Sequence, residues 1–80
     1  MPLYYFDLRD GEALSADEEG TELLDIECAQ VEATEFLADM VVDLTMRASR
    51  PSGHFMSIEV READGPLFTL GFTFTARRRH

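Results

Sequence analysis

The spacing of apolar residues changes period along this 80-residue chain, and each change marks an element. Leu3-Tyr4-Tyr5-Phe6-Asp7-Leu8 is apolar and aromatic and runs into Arg9-Asp10-Gly11, the pattern of a strand entering a turn. A three-residue hairpin loop needs glycine at its left-handed position, and Gly11 takes that place if Leu8 pairs with Glu12. That register sets Phe6 opposite Leu14 and Tyr4 opposite Ala16. Farther on, Met56, Ile58 and Val60 alternate with polar residues, and Phe68, Leu70, Phe72 and Phe74 do the same. A loop of Ala63, Asp64 and Gly65 pairs Val60 with Phe68, Ile58 with Leu70 and Met56 with Phe72. A two-residue Asp64-Gly65 turn would instead set Val60 against Thr69 and mix the two faces.

Between the hairpins the period lengthens. Ile26, Ala29, Ala33, Phe36, Leu37, Met40, Val41 and Leu44 follow i, i+3, i+4, i+7 spacing, with Asp25 placed to cap the helix. Pro51 disfavours helical geometry at Arg50, so the helix is expected to stop by about Ser49. The fold class that follows is α+β, in the order ββαββ. The simplest burial is a mainly antiparallel four-stranded sheet with one long helix packed on one face. Tyr5, Asp7, Ser57, Glu59, Thr69 and Thr73 point to the other face, which is expected to be wet.

Charge narrows the partners. Residues 1–46 carry thirteen Asp or Glu against Arg9 alone, a net −12, whereas the remainder carries +3, for −9 in total. An acidic surface repels a phosphate backbone and an anionic membrane, so neither nucleic acid nor membrane is an expected partner. No apolar run approaches the length of a membrane span, and one cysteine makes no internal disulfide, which points to the cytoplasm. The length suits a single domain over residues 1–76, followed by a basic C-terminal tail over 77–80.

The motifs Tyr5-Phe6-Asp7-Leu8, Asp10-Gly11, Asp17-Glu18-Glu19-Gly20 with Glu22-Leu23, Glu32-Ala33, and Ile58-Glu59-Val60 before Asp64-Gly65-Pro66-Leu67 resemble a known family. It is a family of small alphaproteobacterial proteins classed as a domain of unknown function. The resemblance spans roughly Pro2 to Phe72 and implies a compact, single-domain cytosolic protein of about this size. It supplies no activity, ligand or catalytic residue, and Cys28 and the tail from Arg77 to His80 lie outside its motifs.

Candidate chemistry is sparse. The cluster Asp17-Glu18-Glu19 with Glu22 and Asp25 suggests a hard cation, but aligning Gly20 to the glycine of a calcium loop puts Ile26 where a bidentate acid is required. These acids instead suit a solvated loop before a helix N-terminus. Pro2 would become an N-terminal secondary amine if Met1 were removed, the general base of small tautomerases. Its half of the chain offers only Arg9 to hold an anionic substrate, and a hairpin after the first strand departs from the β-α-β start of those enzymes. Cys28 sits in the first helical turn beside Asp25, Glu27 and Glu32, which oppose thiolate formation, and no histidine is spaced to activate it. No Gly-rich phosphate loop is present, so no cofactor or metal is expected.

What remains is surface. Val31, Thr34, Ala38 and Val42 form a narrow, mostly apolar stripe outside the core arc of the helix, with Glu35 and Asp39 in the acidic line beside it. That edge suits a basic protein partner, or Arg77, Arg78 and Arg79 of a second subunit. The expectation is a non-enzymatic, homodimeric interaction or regulatory module, with a Pro2-dependent enzyme as the alternative.

Overall fold

The structure is a computed structural model that describes residues 1–46 and 54–74. The first aromatic run forms β1 (Leu3–Asp10), followed by β2 (Ala13–Ser15), β3 (Thr21–Glu22), α1 (Ile26–Met46), β4 (His54–Glu62) and β5 (Gly65–Phe74). All pairings are antiparallel, in the order β2-β1-β4-β5, with β3 added against the start of β1. The fold is therefore α+β, with one helix on an antiparallel sheet. The sheet gains a fifth, two-residue strand beyond the four expected.

The second hairpin follows its hydrophobic pattern. Val60 pairs with Phe68, Ile58 with Leu70 and Met56 with Phe72. The expected three-residue loop is not formed: Glu62 pairs with Gly65 across a two-residue Ala63-Asp64 turn, and a register shift between Val60 and Arg61 restores the apolar-to-apolar match that such a turn alone would break. Gly65 has φ 142 and Gly11 φ 63, conformations that a Cβ disfavours.

The first hairpin differs from its expected register. Leu8 pairs with Ser15, Arg9 with Leu14 and Asp10 with Ala13, so Leu14 faces away from Phe6 and is 57% exposed. The loop is two residues long, Gly11-Glu12, with positive φ at its first residue only, as a type II′ turn requires. The Gly11 N–H also donates to the Phe55 carbonyl at 2.9 Å, which ties the turn to β4. Turn geometry thus outweighed the burial of one leucine.

Asp25 caps α1 as expected: its Oδ1 accepts the Cys28 N–H at 2.9 Å and its carbonyl the Ala29 N–H at 3.1 Å. Ala29 and Ala33 are fully buried, and their small side chains seat the helix directly on Ile58 and Val60, which are also fully buried. Tyr4 and Phe6 complete this cluster, with Leu8, Leu23, Leu37, Met40, Leu67, Phe68 and Leu70 packed around it. Two members of the expected core stripe fall short. Ile26 is 42% exposed and Phe36 36%, because α1 runs closest to β4 and β5 and leaves Phe36 overhanging the β1 side. The expected helix stop near Ser49 and Pro51, and the 77–80 tail, lie outside the described residues.

The opposite face is less wet than expected. Glu59, Thr69 and Thr73 are exposed, but Asp7 and Ser57 are buried. Phe55 lies across this face at Gly71, where a Cβ would come within 3.2 Å of its ring. Among the described residues no helix is long and apolar enough to cross a membrane.

Ile58→Ala should cost about 2 to 5 kcal/mol, because the site is closed on all sides by α1, β1 and β5. Phe36→Ala should cost clearly less, since its ring already meets solvent; denaturant titration of both variants checks the ranking.

Candidate functional site

Residues 16–20 loop away from β2 and are pulled back by one carboxylate. Asp17 Oδ2 accepts the Phe6 N–H at 3.2 Å, and Oδ1 accepts the N–H groups of Glu19 and Gly20, both at 3.1 Å. An Asp whose side chain binds backbone two and three residues on is a local turn device, and here it also reaches across to β1. The Asp17 N–H in turn donates to Asp7 Oδ1 at 2.9 Å. Arg61, from β4, joins both acids: Nε donates to Asp7 Oδ2 at 2.8 Å and Nη2 to the Asp17 carbonyl at 2.9 Å. Its guanidinium also lies 4.5 Å from the centroid of the Tyr5 ring.

These contacts explain why Asp7 tolerates burial, since its carboxylate is ion-paired and hydrogen-bonded. They also set the charge states. Burial pushes the Asp17 carboxyl upward, but the N–H groups of Gly20, Phe6 and Glu19, with Arg61 nearby, outweigh it and hold Asp17 below its ordinary value. The hydrogen bond to Asp7 pushes Arg61 further up, so it stays charged. Gly20 closes the loop at φ 77, and a Cβ there would meet Leu3 Cγ at 2.9 Å.

The held loop forms one wall of a groove. A depression of about 340 Å³ has Phe6, Leu8 and Phe36 among its lining, with Asp17, Glu19 and Thr21 at its polar side. A second of about 340 Å³ shares Leu8 and Ser15 and extends towards Asp10, Ala13 and Met40. Phe36 touches the floor through an edge-on contact with Phe6, ring centroids 5.4 Å apart. The Asp17 carboxylate beside the first depression is occupied by backbone N–H groups. The apolar part of the lining, Phe6, Leu8 and Phe36, suits docking of an apolar group.

Of the residues singled out from the sequence, Val31, Thr34, Ala38, Val42, Glu35 and Asp39 are all exposed on α1. The Thr34 hydroxyl donates to the Gln30 carbonyl at 2.8 Å and so turns its polar atom back onto the helix. Arg77, Arg78 and Arg79 lie outside the described residues. The Pro2 carbonyl accepts the Leu23 N–H at 3.1 Å, and Arg9 lies at the far end of β1, roughly 23 Å along an extended strand. The Cys28 thiol is pushed up by its hydrogen bond to Asp25 and by burial, the direction its acidic neighbours suggested. Among the described residues, no group of three His, Cys, Asp or Glu side chains is placed to hold a metal ion.

Sequence reasoning treated Asp17 as one of several solvated acids. The spacing Asp-x-x-Gly was the available signal for a turn, but its bond to Phe6 and the link to Arg61, 44 residues away, depend on strand pairing. Residues 3–73 match the model of a domain of unknown function, DUF6894. No curated protein matches the chain, and no solved structure does.

Asp17→Asn removes the charge and one acceptor, and should cost about 1 to 3 kcal/mol at neutral pH. Because the folded-state value lies below the unfolded one, this stabilisation is fully present above about pH 4 and is lost as pH falls through the folded value. Melts across that range should show the gap between parent and variant closing on acidification. Gly20→Ala should cost about 1 to 3 kcal/mol at every pH, by strain rather than charge.

Proposed function

The chain belongs to the DUF6894 family, and from that premise we propose that it is a small non-enzymatic module that works by self-association, as a homodimer formed through the outer face of α1. The carrying observation is that Val31 and Val42, 59% and 62% exposed, stand on the outward side of a helix whose inner row is already satisfied by the sheet. Thr34 and Ala38 between them are short, and a two-fold axis pairs such a stripe with itself at close approach.

Charge supports the same reading. Glu35 and Asp39 run beside the stripe, and Arg77, Arg78 and Arg79 provide the basic counterpart from the other subunit. Exposed pairs of this kind contribute about 0 to 1 kcal/mol each, so they orient the subunits rather than hold them. A basic protein partner would use the same acidic edge. The reading places the protein in a bacterial cytoplasm, where the lone Cys28 stays reduced.

Light scattering at high micromolar concentration is the test. Val42→Glu adds charge at the contact and should remove it, halving the mass that the α1 face sustains while the circular dichroism spectrum keeps its parent shape. A parent that runs as a monomer would refute the reading.

A further inference from the structure

The two edges of the sheet are built differently. The β2 and β3 side consists of strands of three and two residues, interrupted by an acidic loop, which is how proteins blunt an edge against unwanted pairing. The β5 side is a single strand of ten residues, Gly65–Phe74, without one charged side chain. Among the described residues β5 pairs only with β4, so its outer row of N–H and C=O groups has no strand against it. Its only edge-blunting features, Pro66 and the bulge opposite it at Val60/Arg61, lie at the hairpin end. From Leu67 to Thr73 no other described strand lies against it.

We infer that the outer edge of β5 pairs antiparallel with β5 of a second copy, joining two sheets into one continuous sheet. This builds on the self-association reading but not on the helix surface. A second copy is the occupant that fits, for two reasons. An antiparallel partner must keep its apolar face on the helix side, so residues of like parity must pair. Centring the two-fold axis on Leu70 meets that condition: Phe68 faces the partner's Phe72, Thr69 faces the partner's Gly71, and Phe74 faces the partner's Pro66. The strand is uncharged, so two acidic chains meet along the stretch where their like charges are farthest removed in sequence.

Thr69→Lys is the variant of choice. Thr69 is exposed on the helix-free face, so the change leaves the core intact and puts a charge from each copy beside the axis, the device natural edge strands use. The parent and the variant are compared by light scattering, with Val42→Glu and the double variant alongside. The inference expects the parent to be larger than the α1 homodimer, Thr69→Lys to halve its mass, and the double variant to be monomeric. It also expects slow hydrogen exchange at successive amides from Leu67 to Thr73 in the parent, changing in Thr69→Lys to alternate slow and fast positions.

If Val42→Glu halves the mass and Thr69→Lys does not, the edge pairing is overturned and the helix reading stands. If Thr69→Lys alone gives monomers and Val42→Glu changes nothing, the edge pairing stands and the helix reading falls. A monomeric parent overturns both, and alternating exchange in the parent β5 overturns edge pairing whatever the masses, including the case in which that edge serves an extended segment of another protein.

Discussion

One helix has to cover a sheet wider than itself. An α-helix with its side chains is about 10 to 12 Å across, whereas four strands at about 4.8 Å spacing span roughly 19 Å. Ala29 and Ala33 settle where the helix goes, because their short side chains let it sit against Ile58 and Val60 on the central strand β4. Once it is seated there and over β5, the β1 side of the same face is covered less fully, with Phe36 reaching over Phe6. The half-exposed Phe36, its edge contact with Phe6 and the groove beneath it all follow from that offset.

On the helix-free face and beyond β2, the β1 side is tied together by polar contacts. The Asp17 carboxylate gathers three backbone N–H groups, and Arg61 ties Asp7 to the same loop across the sheet. Hydrogen bonds to a charged acceptor are roughly twice as strong as neutral ones, so a single acid holds a segment that has only the short strands β2 and β3 at its ends. The acids of this region therefore divide. Asp17 is part of the architecture, while Glu18 and Glu19 are exposed and add to the negative field.

For so small a domain the distribution of uncovered surface matters more than any single pocket, because little core is available to offset what is left outside. The exposed valines of α1 lie on one side of the molecule and the uncharged β5 edge on another. These two surfaces carry the functional reading.

The sequence by itself determined the element types, the α+β class, the Asp25 cap and, apart from the bulge beside its turn, which came from the structure, the β4–β5 pairing from Val60 to Met56. These rest on local signals: period two against period 3.6, a capping side chain, and a glycine next to a turn. It also showed that Val31 and Val42 lie off the core arc of the helix. It misplaced Leu14 because two loop lengths were open to Gly11, and the bond from Gly11 to Phe55 belongs to a strand some forty residues farther on. Tertiary structure alone decided the sideways offset of α1, the exposure of Ile26 and Phe36, the burial of Asp7 and Ser57, and the assignment of β5 to an edge. Each of these depends on which strand lies beside which. Hydrophobic pattern is blind to that choice, because several strand orders bury the same residues, and only the assembled sheet shows which backbone edge is left without a neighbour.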